Sequence, residues 1–166
     1  MARRVFYSFH YKPDAWRASK IRNIGAIEGN KPCTDNDWES VTRGGDTAIE
    51  RWIDEQMKGR TCAIVLVGTN TARRKWIDYE ITKAWNAGMG IFGIYIHRIT
   101  NKDGETCAQG SNPFATFTIG GKPMSSIVPV YAPTGVLSSQ VYANISENLE
   151  DWIDEAIAIR KRLAAA

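Results

Sequence analysis

Hydrophobic and polar positions along the chain fall into two rhythms, short continuous apolar runs and longer segments with a helical repeat. Val5–Phe9 (VFYSF) is a short apolar run that predicts a buried strand, after which Pro13 interrupts and Asp14 stands where a helix through about residue 24 needs a cap. Residues 25–37 carry Gly, Pro, Asn and Asp with little periodicity and read as loop with room for one short strand. From Thr47 the spacing of Ile49, Trp52, Ile53 and Met57 fits one helix face, Thr47 and Glu50 spell a capping box, and Gly59 stands in the stop position. Cys62–Val67 (CAIVLV) is continuously apolar, as a central parallel strand covered on both faces requires. A helix over 72–87 and a buried strand over 91–96 follow. Residues 98–126, rich in Gly, Asn, Ser and Thr, form a connection far longer than usual, which predicts an ordered excursion or a lid. A short strand over 127–131, held to a sheet edge by Pro129, precedes a final helix starting at 144 or 146.

Strands that alternate with helices and show no hairpin signals predict an α/β fold, a flavodoxin-like open parallel sheet with helices on both faces. In such sheets ligands lie beyond the carboxyl ends of the strands, here residues 8–12, 68–74 and 97 onward. Length agrees with a single domain over 1–166. Twenty-one Lys plus Arg against eighteen Asp plus Glu give a net charge of +3, enough for a local anion site but not for a nucleic-acid surface. No apolar run approaches a membrane span, and the first residues pass into a strand without a cleavable signal, so a cytoplasmic location with no membrane partner is expected. Cys33, Cys62 and Cys107 form no C-x-x-C pair and predict neither a disulfide framework nor a metal site.

Gly88, Gly90 and Gly93 spell G-x-G-x-x-G, but they follow a helix and enter a strand, the reverse of the dinucleotide fingerprint. Phosphate-loop and nucleophile-elbow motifs are missing, which removes two large classes of hydrolase. The helix after CAIVLVG is more informative. On a helical wheel Ile77, Ile81, Ala84 and Trp85 define the buried arc, Glu80 borders it, and Arg73, Trp76 and Lys83 share the Glu80 flank. A carboxylate and an indole one turn apart can line a cleft; an amphipathic helix with a snorkelling flank accounts for the same pattern.

Residues 5–11 (VFYSFHY), the strand CAIVLVG, residues 75–84 (KWIDYEITKA), the strand IFGIYIH and the triplet Asn112, Pro113, Phe114 together resemble the TIR-like proteins of bacterial Thoeris antiphage defence (the ThsB family), in the same order over roughly the first 130 residues. The resemblance implies a TIR-like flavodoxin fold and an NAD glycohydrolase or ADP-ribosyl cyclase activity. NAD would be a substrate, with no bound cofactor, and a cyclic or conjugated ADP-ribose product would activate a separate effector protein. It further implies that Glu80, which matches the family's catalytic glutamate, is catalytic.

Around Glu80, Phe6, Tyr7 or Trp76 are candidates to stack on a ring, and Ser8, His10 and Lys12 to hold ribose or phosphate oxygens. Arg73 and Arg74 oppose the dipole of the helix they precede, which suggests an anion or carboxylate beside them, and Asp37 is placed to meet an adenosine ribose. Two other readings stay open: a non-enzymatic TIR-like interaction module, and a nucleoside deoxyribosyltransferase-like enzyme. The residues leave homo-oligomerisation undecided.

Overall fold

A computed structural model describes residues 4–24 and 41–165 of the chain. Its main sheet has four strands in the order β1-β2-β3-β6, with every pair parallel. They are β1 (Val5–Phe9), β2 (Cys62–Val67), β3 (Gly90–Tyr95) and β6 (Val130–Tyr131). All six residues of β2 are buried, because helices cover both faces of the sheet. On one face α1 (Tyr11–Arg22) and the terminal α4 (Ser138–Ala165) pack Ile21, Val141, Ile145, Leu149 and Ile153 against Val5, Tyr7, Ile64, Leu66, Phe92 and Ile94. On the other, α2 (Gly45–Met57) and α3 (Lys75–Asn86) pack Ile49, Ile53, Ile77 and Ile81 against Phe6, Ala63, Val65, Val67 and Ile91. Strand alternation alone produces this division, since consecutive side chains leave opposite faces. The flavodoxin-like class follows from this open parallel sheet. The loop and strand expected over 25–37 lie outside the described residues.

Helix starts depart from the expected ones for local reasons. α1 starts at Tyr11 with His10, not Asp14, as N-cap; Pro13 sits in the first turn, where a missing N–H costs nothing, and Asp14 turns inward. Lys12 therefore lies on a helix and not on a loop. α2 starts at Gly45 behind an N-cap Gly44 that makes no side-chain cap bond, so Thr47 and Glu50 are interior residues and the capping box is not used. α3 starts at Lys75, because residues 68–74 form a turn closed by Thr71, whose Oγ accepts from the Gly68 N–H at 2.8 Å. α4 begins at Ser138, earlier than the cap-like Asn144 and Ser146. There Gln140 Oε1 accepts from the N–H groups of Val136 and Leu137, and buried Val141 extends the apolar stripe by one turn. Trp85, assigned to the buried arc of α3, is only half-buried, and Arg160 of α4 lies 4.5 Å from its ring centre while donating to its carbonyl.

Residues 98–126 are an ordered excursion. Arg17 donates from Nε to the Ile99 carbonyl at 2.6 Å and from Nη2 to the Glu105 carbonyl at 2.9 Å, and Thr69 Oγ donates to the Ala108 carbonyl at 2.6 Å. Asn112 Oδ1 accepts from the Phe114 N–H, and the turn this closes drives Phe114 fully into the core. A small hairpin, β4 (Thr118–Ile119) and β5 (Lys122–Pro123), contradicts the expected lack of hairpins. Its Gly120-Gly121 turn has both φ positive, the two-residue turn that matches strand twist. β6 is shorter than the run 127–131, whose first residues follow a 3₁₀ turn at Met124–Ser126, and it holds the predicted edge position.

The rejected glycine motif does packing work. A Cβ on Gly90 would lie 2.6 Å from the backbone nitrogen of Ile157, and one on Gly93 would press Val130 and Phe114. Close approach to α4 and to the excursion requires both.

Candidate functional site

The carboxyl ends of β1, β2 and β3 bring together Ser8, the 68–74 turn and the start of the excursion, with α3 leaning over them. Ser8 shares a parity with Phe6, so it faces the α3 layer. Phe6 is packed in that layer's core and does not reach the strand end; Tyr7 points to the opposite layer. Ser8, 1% exposed, meets Glu80, 8% exposed. Glu80 thus lies deeper than the border position read from the wheel, inside the arc with Ile77, Ile81 and Ala84.

Burial pushes the Glu80 carboxyl up to about 8, and a hydrogen bond from Ser8 offsets part of the rise. That bond falls short of full geometry: Ser8 Oγ and Glu80 Oε2 are both buried without a well-formed partner. Among the described residues no cation offsets this carboxyl, and a buried carboxyl so placed is costly unless something else satisfies it; such groups concentrate where charge develops in a reaction.

His10, the N-cap of α1, is half-buried, and its Nδ1 also lacks a partner. Desolvation, and then the nearby Arg74, hold its pKa below the usual histidine range, so its ring is neutral at neutral pH. Arg74 is the N-cap of α3, and Arg73 before it has φ of +67°, a left-handed conformation that side chains rarely adopt. Both line an open cleft of about 440 Å³ with Thr69, Asn70, Ala72 and Ser111. Neither arginine pairs with a carboxylate among the described residues; the ion pair at this helix start is Lys75 with Asp46. The offsetting group expected for them is therefore not an acidic side chain of that set. Glu80 is not part of the cleft wall, and His10 feels the charge of Arg74, which is.

Trp76 is half-buried, edge-on to Tyr79 and under the Lys75 ammonium at 4.9 Å, so its ring is engaged within α3. Lys12 is exposed on α1. Asp37 lies outside the described residues.

Sequence reasoning missed one buried unit. Asp14 Oδ1 and Arg17 Nη1 pair at 3.3 Å, both side chains nearly inaccessible, and the Asp14 carboxylate packs against Gly68 so closely that a Cβ there would fall 2.3 Å from Oδ2. Together they tie α1 to the β2 turn and to the excursion. An acid and a base three apart on a helix are ordinary in sequence, and only burial distinguishes this pair.

Over residues 6–101 the chain matches the family model for the Thoeris protein ThsB, TIR-like domain. It is similar to a curated Bacillus cereus (strain MSX-D12) protein named "Putative cyclic ADP-D-ribose synthase ThsB1", with 34% identity over 119 residues, which make up 69% of this chain and 62% of that protein. The chain thus spans about 62% of the length of the curated relative it matches. The matched stretch contains all but the first residue of β1 and the whole of β2, α3 and β3, and with them Ser8, His10, Arg74 and Glu80. This chain belongs to the TIR-like ThsB family of Thoeris proteins.

Proposed function

We propose that this protein cleaves NAD and makes a cyclic or conjugated ADP-ribose second messenger that activates a separate effector in antiphage defence, acting in the cytoplasm as a single domain without a metal. The observation that carries the reading is Glu80: a buried carboxyl, raised to about 8 and facing Ser8 at the carboxyl end of a parallel sheet, in a chain of this family.

The chemistry asks little more of the protein. Cleavage of the nicotinamide–ribose bond expels a neutral pyridine from a cation, so the leaving group needs no general acid, unlike the oxygen of an ordinary glycoside. Positive charge develops at the ribose C1 and ring oxygen, and the Glu80 carboxylate is preorganised to stabilise it at low dielectric. A cationic nicotinamide favours the ionised form and supplies the counter-charge that the empty carboxyl lacks. Ser8 and His10 hold ribose hydroxyls, while Arg73 and Arg74 in the polar cleft take the diphosphate. The excursion, pinned at Ile99, Glu105, Ala108 and Phe114, limits water at the cation, so an internal nucleophile or another acceptor competes for it.

Incubation with NAD, and separately with a deoxynucleoside, followed by mass spectrometry tests this reading. Free nicotinamide with a cyclic or conjugated ADP-ribose is expected. Turnover of the deoxynucleoside alone would indicate a transferase, and plain ADP-ribose as the sole product would overturn the signalling role.

A further inference from the structure

His97 lies just past β3, at the same end of the sheet as Ser8. The ladder between β2 and β3 continues one residue past β3, where the Ile96 N–H donates to the Val67 carbonyl, and Ile96 faces the α1 and α4 layer. A turn closed by Ile99 N–H to the Ile96 carbonyl then carries His97, whose ring stands edge-on to Tyr95 at 6.1 Å. Tyr95 packs in the α3 layer, so His97 lies on the Glu80 side of the sheet. Its backbone carbonyl accepts from Cys107, at the stretch of the excursion that reaches Thr69 and Ser111 of the arginine cleft. Its Nδ1 is buried with no hydrogen-bond partner.

Ser8 Oγ, His10 Nδ1, Glu80 Oε2 and His97 Nδ1 are thus four unsatisfied buried atoms at one end of one face. Each is costly alone, and together they outline polar surface that a ligand satisfies. Ser8 pairs with Val65, and Val65 with Gly93, so β3 is two strand spacings from β1; His97 is farther along the strand direction as well. At about 4.8 Å per spacing, His97 is on the order of 10 Å or more from Ser8. That separation places His97 toward a different part of an extended dinucleotide from the one beside Ser8.

We propose that His97 is a binding residue for the adenylate half of the dinucleotide, hydrogen-bonding it through Nδ1 while Glu80 holds the nicotinamide ribose; this rests on the function proposed above. Burial, and then Arg98, keep its pKa below the usual histidine range, so it acts as a neutral hydrogen-bonding group and adds no charge to the arginine cleft.

Calorimetric titrations with NAD and with nicotinamide mononucleotide, which lacks the adenylate half, test the assignment in a Glu80→Gln background that arrests turnover. His97→Ala is expected to weaken NAD binding about tenfold and mononucleotide binding less than about twofold, with His97→Asn, which keeps a polar atom near the Nδ1 position, restoring most of the NAD affinity. Equal losses for both ligands, or no loss for NAD, would overturn the assignment. If His97→Ala does not fold, His97→Leu keeps the contact with Tyr95 without a polar atom and replaces it. Failure of the parent protein, with His97 intact, to bind NAD would instead overturn the proposed function.

Discussion

Glu80 carries the proposed chemistry and, once ionised, weakens the fold at the same residue. A carboxyl whose pKa is about 8 when folded and an ordinary 4.5 when unfolded binds its proton more tightly in the folded chain. Its contribution is therefore fully present below the unfolded value and is lost as pH rises toward about 8. Glu80→Gln, nearly isosteric and uncharged, is expected to abolish NAD cleavage, to match the parent's melting temperature near pH 4.5 and to exceed it increasingly up to about pH 8; parallel melting curves across that range would refute the burial argument. The ionised form is the one proposed to stabilise the ribosyl cation, so kcat/KM for NAD should rise with pH along a limb whose apparent pKa is near 8, and a flat profile between pH 6 and 9 would contradict it. His10 poses a separate question. If it holds a ribose or phosphate oxygen, His10→Ala costs about 1–3 kcal/mol in NAD binding or turnover with little thermal effect, whereas a purely thermal effect measured on the same variant would make it only the cap of α1.

At the scale of elements, the helix α1 matters for what it holds. Arg17 spends its guanidinium on Asp14 and on three carbonyls, those of Pro13, Ile99 and Glu105, so one buried side chain closes the base of the excursion. Arg17→Met leaves the Asp14 carboxylate buried against Gly68 with no cation and those carbonyls without their donor. The expected cost is about 3–5 kcal/mol in chemical denaturation, accompanied by new protease cleavage between 99 and 111. Replacing Asp14 and Arg17 together by apolar residues should cost much less, and equal losses for the single and double variants would show that the pair is not the anchor. Of these elements β1, β2 and β3 were legible to within a residue, because an apolar run between polar breaks has one reading. Helix starts were not. Asp14, Thr47 and Ser146 are all competent caps in isolation, and the choice of His10 and of the turn before Ser138 depended on where the chain leaves the sheet.

For the whole molecule, layer packing ties the site to distant contacts. α4 lies against β3 so closely that Gly90 meets the Ile157 backbone, and Arg160 reaches across to the last turn of α3. Gly90→Ala should destabilise the fold by about 1–3 kcal/mol in equilibrium denaturation, since a backbone atom cannot rotate out of the way; an unchanged midpoint would mean that α4 yields freely. By itself the sequence determined the fold class and the division of the sheet into two apolar faces, because periodicity and strand parity are local properties that survive any arrangement of the elements, while the candidacy of Glu80 rested on the resemblance of its segment to the family. Tertiary structure alone decided how deep Glu80 lies, that Phe6 stays in the core, that Asp14 and Arg17 are buried, and that Nδ1 of His97 is buried without a partner. Each of those is a matter of desolvation and proximity between segments far apart in the chain, and neither quantity exists until the segments have packed.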